Sequence, residues 1–574
     1  MNKLFYGDNL DIMRTMGQNT VDLIYLDPPF NSQQNYNLLY KTLTGRPVPE
    51  LAEAFCDTWS MEDPKKEDLL RELPKLLAEH GVGDYFIQFW SGLMQTLRQT
   101  NPQLLAYLIY MIERLVYLKV ILKPSGSIYL HCDPTASHYI KIMMDGIFGH
   151  KNFRNEVIWR RTNAHNKLSK QYGPIHDVLL FYSGSDKFYF NPGKTPYTKA
   201  YIEDRFKYTD SHGRYQTNYL TGPETRKGES GDEWRGFNPT ANGRHWAIPK
   251  GLRQFLPDEG KGMKTMECLE ALLNQDLILF PKKKGGQPMY KQYIGDGVPY
   301  QDIWAYQPNT KGVLIKEDMC IDEDVKYLED EDERMGYPTQ KPIGLLKRII
   351  TTSSKSDEVV FDPFCGCGTT VYAAQQTGRQ WIGCDIAILS VRLIRETLSG
   401  PKYGLTEGIE FEVDGIPASV EQAKELFHRD PFQFEHWFVE RVGGFPTRKT
   451  GDRGIDGKIW FDTFDELKSM ILSVKGGEAL TPAMVRDLRG TVADEENAEL
   501  GGFLSMEEPT RGMREAAARA GRFEYKGVFY DRIQFLTVKD VIEDHKDFHT
   551  PSKVATRLAT KQRSIAYDDY LTVR

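Results

Sequence analysis

The stretch VVFDPFCGCGTTVYAAQQTGRQWIGCDI, residues 359–386, constrains the fold of this chain more than any other. It reads as strand, tight glycine turn, helix, strand, acid. Gly366 and Gly368 let the backbone approach a ligand where a Cβ would collide. The turn opens onto a helix amino terminus, which suits binding at the carboxyl edge of a parallel sheet. Asp385 ends the next strand, one βα unit later, where an acid is placed to hold ribose hydroxyls. A lone GxG would be an ordinary turn beside a solvated acid. The ordered series instead favours a nucleoside pocket on a Rossmann-like α/β sheet. Cys365 and Cys367 lack zinc-ligand spacing, and a need for small residues explains them better.

A second strand ends in a similar way. DLIYLDPPFN, Asp22 to Asn31, runs apolar into an acid and two prolines. Its continuous hydrophobicity predicts a strand covered on both faces. Proline fixes φ and removes backbone donors, so the segment is stiff and presents its carbonyls outward. At the end of a strand of the same sheet it would face the same crevice as the glycine turn. If the ligand at that turn is a methyl-donating sulfonium, the exocyclic amine of a base is a sensible acceptor. Asp27 and the Pro28 carbonyl would then accept both amino hydrogens and stabilise the charge that develops. Phe30 would stack on the base, which must leave a duplex to reach the pocket. No metal is needed.

LDPPF, PTQKP and FDPFCGCGTT resemble motifs IV, X and I of the amino DNA methyltransferases. They occur in β-class order, and the resemblance covers roughly residues 3 to 398. It implies a catalytic tetrad of Asp27, Pro28, Pro29 and Phe30. It also implies an S-adenosylmethionine pocket lined by Phe364, Gly366, Gly368, Thr369 and Asp385 and bordered by Asp27. Thr339, Gln340, Lys341 and Pro342 would close that pocket. Asp8, in YGDNL, resembles the motif III acid near the cofactor adenine. Asp in the tetrad favours adenine N6, whereas the cytosine N4 enzymes usually carry Ser. Phe at position 30, where Tyr is commoner, keeps the stacking face. The implied activity is site-specific methylation of double-stranded DNA within a restriction-modification system. The implied partners, besides DNA, are a second copy of the chain or a separate restriction subunit. Cytosine N4 methylation is the alternative, and so is a degenerate methylase that binds DNA without chemistry. The intact tetrad and turn count against that last reading.

At 574 residues the chain is too long for one core. The pattern divides it into a catalytic part of the methyltransferase core at 1–185, a target-recognition region at 186–335 and a cofactor-binding part at 336–398. A polar linker follows at 399–428, then a separate module at 429–574 that is expected to be removable. Within the first part, 41–105 reads as a charged helical insertion broken at Pro64 and Pro74. The segment VIWRRTNAHNKLSKQ, 157–171, is basic, so Trp159, Arg160 and Arg161 are candidates for DNA contact. Equally, Trp159 reads as core beside a solvated loop. The net charge of −7 argues against binding nucleic acid by bulk charge, but leaves room for a local basic groove. Seven scattered cysteines, no apolar run of membrane-spanning length and a start unlike a signal peptide point to a reduced, cytoplasmic protein with no membrane partner.

FEHWFVERVGGFPTRKTGDRGIDGKIWF, followed by MILSVKGG, puts an acid and a lysine on adjacent predicted strands. A nuclease needs such groups to hold a divalent ion and to serve the attacking water. The segment resembles Mrr-type restriction endonucleases, with a PD-(D/E)xK-like α/β fold. That resemblance implies Asp456 as the Mg²⁺ acid, Lys475 as the lysine and Glu435 or Glu440 as the helix acid. Ser473 departs from it, because the family carries Glu, Asp or Gln there and a hydroxyl is a weaker ligand for a hard cation. The module therefore reads either as half of a bifunctional methylase-nuclease or as a fold that only grips DNA.

Overall fold

The computed structural model describes residues 2–29, 35–38, 40–41, 52–56, 61, 64–162, 170, 172–281, 286–306, 322–328, 333–335, 337, 339–447, 454–463, 466–477, 479–551 and 557–558. It divides into two compact units. One comprises 1–191, 302–305 and 324–574, the other 192–301 and 306–323.

The large unit is mixed α/β, built on one large sheet. Among the described residues that sheet has nine strands: β1 (Asn2–Tyr6), β2 (Val21–Leu26), β3 (Leu122–Cys132), β4 (Phe153–Arg160), β5 (His176–Ser183), β6 (Ile303–Trp304), β7 (Val359–Asp362), β8 (Gln380–Asp385) and β9 (Phe411–Asp414). Their order is β6-β4-β5-β3-β2-β7-β8-β1-β9. All neighbours run parallel except β5, which is antiparallel to both β3 and β4. β2 is buried along its whole length because its residues feed two cores, one on each face. Leu23 and Tyr25 join one, and Val21, Ile24 and Leu26 the other.

Three expectations change here. Residues 399–428 are not simply a linker, since they supply β9, which pairs with β1, and the helix Val420–Arg429. The recognition region is not wholly outside the sheet, since Ile303–Trp304 returns to pair with β4. Pro74 does not break its helix, which runs from Pro64 to Glu79. Its neighbours Leu73 and Leu77 are fully buried in the core, and that packing outweighs the lost backbone hydrogen bond.

Residues 429–574 add a second sheet to the large unit, with five strands among the described residues. In order these are Phe445–Pro446, Gly457–Asp462, Leu467–Lys475, Ala498–Ser505 and Ile533–Thr537. The first three are antiparallel, and the rest continue parallel. Ahead of that sheet, the helix Pro431–Arg441 buries Phe434, Trp437 and Phe438 in the same core as Leu4 and Tyr6 of β1. The module is thus seated on the first sheet, not hung from a tether.

The smaller unit has a four-stranded antiparallel sheet among its described residues, over a core that includes Leu220, Trp234, Trp246, Leu252 and Leu269. Within the described residues, no helix of the protein is long and apolar enough to cross a membrane.

Candidate active site

The carboxyl ends of β1, β2, β7 and β8 are neighbours, and each delivers an acid: Asp8, Asp27, Asp362 and Asp385. Asp385 Oδ2 accepts a hydrogen bond from the Gly366 N–H at 2.8 Å, and Oδ1 accepts one from Ala387 at 2.9 Å. Burial pushes its carboxyl up to about 6, and the two backbone donors only partly offset this. The acid expected to hold a ribose therefore also holds the turn. Gly366 has φ +51°, and a Cβ there would lie 3.3 Å from the Tyr337 ring. Gly368 has φ +87°, and a Cβ there would lie 2.6 Å from Ile394 Cγ1. At each position the left-handed backbone and the close neighbour together favour glycine. Thr369 starts the helix Thr369–Gln376 directly after the turn. Half-buried Phe364 packs near Tyr110, with 6.4 Å between ring centres.

Asp362 lies inside a quoted motif but was not singled out from sequence. Its Oδ1 accepts from Phe364 N at 2.9 Å and its Oδ2 from Thr370 Oγ1 at 2.5 Å, closing the turn from below. Burial raises its carboxyl to about 7, against those two hydrogen bonds.

Asp8 caps the helix Asn9–Thr15 through Leu10 N, and both its oxygens take hydrogen bonds from Arg114 Nη2 at 2.8 Å. Gly7 N donates to the Asp385 carbonyl at 3.0 Å, so the Asp8 turn is fixed to the acid strand. Arg114 is buried, reaches Asn9 Oδ1 at 2.7 Å and lies 3.4 Å from the Tyr110 ring centre. Sequence reading missed it. The signal was a charged pair, Glu113–Arg114, inside the apolar helix LLAYLIYMIERLVYLKVI.

Asp27 and Pro29 are half-buried at the end of β2, and Pro28 is buried; Phe30 lies outside the described residues. Asp27 Oδ2 pairs with Lys341 Nζ. Among the other residues expected to close the pocket, Gln340 shapes its own loop, accepting from Met335 N and donating to the Glu333 carbonyl. Thr339 offers its carbonyl to Lys341, and Pro342 precedes the helix Ile343–Ser353.

Two expectations outside this crevice need correction. Trp159 is core, not a DNA contact. It points inward from β4, donates its indole N–H to the Val325 carbonyl at 2.8 Å and stands edge-on to His131. Arg160 donates to the Thr162 carbonyl and Arg161 pairs with Asp177, while most of the basic segment beyond them lies outside the described residues. Glu440 faces the methylase sheet. It is buried beside Arg392 and Asp385 and is reached by the Ile388 backbone N–H at the start of the helix Ile388–Ser399. Among the described residues its Oε2 has no hydrogen-bond partner. Burial, with the Asp385 charge adding to it, pushes its carboxyl to about 8. Glu435 is half-buried on the same helix.

In the C-terminal sheet, Asp456 Oδ2 accepts from Val474 N at 2.6 Å and from Lys475 Nζ at 3.4 Å. The expected pair does meet. Ser473 is buried one residue before Val474. Among the described residues no group of three or more His, Cys, Asp or Glu is arranged to hold a metal. In the same module, Phe445 and Trp460 pack with Tyr337 and Cys367, at the glycine turn. Burial raises the Cys367 thiol to about 11, which keeps it protonated.

A family model described as DNA methylase, the N6/N4 methyltransferases, matches residues 21–396. The type II methyltransferase M.EcaI of Enterobacter cloacae is 29% identical over 294 residues, covering 50% of this chain and 56% of that protein. The StyLTI Mod subunit of a type III restriction-modification enzyme, from Salmonella typhimurium, is 27% identical over 388 residues, 65% of this chain and 49% of that one. A shorter segment is 52% identical over 62 residues to the DNA adenine methyltransferase YhdJ of Escherichia coli, 11% of this chain and 20% of that. The chain spans about half the length of the first two of these relatives.

Proposed function

The chain belongs to the N6/N4 DNA methylase family, and from that premise we propose that it methylates adenine N6 in double-stranded DNA, using S-adenosylmethionine. The observation that carries the reading is the shared sheet edge, where Asp27 and the Gly366–Asp385 turn stand on neighbouring strand ends. The cofactor's fit rests on the turn at Gly366 and Gly368, whose left-handed backbone and close packing on Tyr337 and Ile394 require glycine, and on Asp385. Bound there, it supplies an electrophilic methyl group.

The protein's own work is at the amine. Its lone pair is delocalised into the base ring, so it is a poor nucleophile. Asp27 and the Pro28 carbonyl accept its two hydrogens, draw the nitrogen toward tetrahedral geometry and stabilise the positive charge that grows on it. A flipped base is required, with Phe30 as its stacking face. Adenine is favoured over cytosine N4 by the acid in the tetrad, and the short match to an adenine methyltransferase agrees. Residues 192–301 are assigned to target recognition, and the likeness to a Mod subunit suggests a restriction-modification setting with a separate restriction subunit or a second copy as partner.

For residues 429–574 we propose an Mrr-like fold that grips DNA. Asp456 beside Lys475 is the remnant of a Mg²⁺-dependent nuclease site, and Ser473 leaves such an ion one carboxylate short. Incubation with labelled cofactor and plasmid DNA, followed by nucleoside mass analysis, tests the main reading. N6-methyladenine is expected. Finding only N4-methylcytosine would transfer the assignment to the other base.

A further inference from the structure

Lys341, one of the residues expected to close the cofactor pocket, has its ammonium on Asp27. It takes Oδ2 and also donates to the Thr339 carbonyl at 3.3 Å. Both partners are mostly buried, with side chains 10% and 16% exposed. The other carboxylate oxygen, Oδ1, is buried without a hydrogen-bond partner among the described residues. An unpartnered buried oxygen is costly, and it persists only where something else fixes it or needs it.

A polar network extends from the same place. His131 is fully buried, with Nδ1 at 2.8 Å from the Tyr25 hydroxyl and Nε2 at 3.2 Å from Asp177 Oδ2. Arg161 reaches Asp177 Oδ1 at 3.2 Å. His131, Lys341 and Arg161 together hold the Asp177 carboxyl below its usual range against its burial. Tyr25 lies two residues before Asp27 on β2. Lys341 thus pairs with Asp27 and adds its charge to the surroundings of Asp177 on β5.

We propose that Lys341 is a positioning residue for methyl transfer: by taking Oδ2 of Asp27 it fixes the orientation in which the carboxylate meets the target amine. The proposal rests on the methyltransferase reading and assigns a role within that site. A cation on Oδ2 weakens the pull of the carboxylate on positive charge developing at the amine. Its benefit is therefore orientation. A carboxylate held at one oxygen cannot swing about its Cβ–Cγ bond, and misplacement of about 1 Å at a reacting group can cost on the order of a hundredfold in rate.

The test compares Lys341→Met, Lys341→Gln and Lys341→Arg in the full chain. Met keeps much of the stem but removes the donor, Gln offers a shorter neutral donor, and Arg keeps a charged donor. In Lys341→Met, kcat is expected to fall about tenfold to a hundredfold, while KM for DNA and the calorimetric Kd for the cofactor stay within about twofold. Arg should recover most of the lost rate, and Gln less. A wild-type kcat in Lys341→Met would overturn the proposal. So would a loss explained by weaker cofactor binding, which would return Lys341 to the cofactor pocket. If Met does not fold, equal kcat in the Arg and Gln variants would overturn it instead. Each of these failures leaves wild-type methylation standing. A wild type that transfers no methyl group sinks the proposal together with the reading beneath it.

Discussion

Replacing Glu440 with Gln should flatten the dependence of stability on pH. Glu440 is buried on the helix Pro431–Arg441, with one oxygen lacking a hydrogen bond among the described residues and Asp385 nearby. Burial is the largest influence, and it lifts the carboxyl from 4.5 to about 8, although the Arg392 charge pulls the other way. Between those values the folded protein holds a proton that the unfolded chain has released. Stability from this group is therefore complete below pH 4.5 and is lost as pH rises to about 8. A rise of that size corresponds to a ceiling of about 5 kcal/mol, at about 1.4 kcal/mol for each pH unit. Relaxation around a charged Glu440 reduces the loss, so half of that ceiling is a reasonable expectation. Asp362 and Asp385 are raised by burial as well and contribute the same sign, but they do so in both proteins. The difference between wild type and Glu440→Gln isolates the one group. Guanidinium unfolding followed by tryptophan fluorescence, at intervals from pH 5 to 9, would read it, and fully buried Trp437 on the same helix is a local reporter. Wild type should lose ground steadily against the variant up to about pH 8 and level off above it. Parallel curves would refute the reasoning, because they would mean that Glu440 charges at no cost.

Gly368→Ala should abolish cofactor binding or weaken it at least tenfold, since the new methyl meets Ile394 at a backbone angle that suits only glycine. Calorimetry reads this, and wild-type affinity would show that the turn is less constrained than it looks. Deleting 429–574 should expose the apolar surface of β1 that Phe434, Trp437 and Phe438 cover, and so leave an aggregation-prone or cofactor-blind fragment. A soluble fragment with wild-type cofactor affinity would restore the independent module expected from sequence. Ser473→Glu supplies the missing carboxylate, so Mg²⁺-dependent cleavage of unmethylated target DNA should appear or rise in that variant and vanish on adding Asp456→Ala. If no cleavage occurs over a broad range of Mg²⁺ and Mn²⁺, only the DNA-gripping role survives.

The strands that end in acids were legible because each motif bundles its own punctuation: apolar run, acid, then proline or glycine. β2, β7 and β8 follow from that pattern alone, and so does the glycine turn. β9 was hidden because a short edge strand in a polar stretch has little hydrophobic signal. Ile303–Trp304 was hidden for a similar reason, being two residues long. Trp159 illustrates the limit of composition. A basic neighbourhood suggested DNA, whereas alternation along β4 decided which way the ring points. Arg114 and the position of Lys341 on Asp27 were out of reach, because each pairing joins residues far apart in the chain. The seat of the C-terminal helix was illegible for the same reason. Its aromatic face FEHWF announced burial without saying against what.

The central claim is that Asp27 acts on the amine and not on the cofactor, and Asp27→Ala tests it most directly when both properties are measured in one preparation. The cofactor Kd should stay close to wild type, while methyl transfer to DNA falls on the order of a hundredfold to a thousandfold, the usual consequence of losing a transition-state hydrogen bond. Near wild-type transfer by Asp27→Ala would contradict the assignment of the catalytic strand. Loss of cofactor binding in step with activity would contradict the division of labour between Asp27 and the glycine turn.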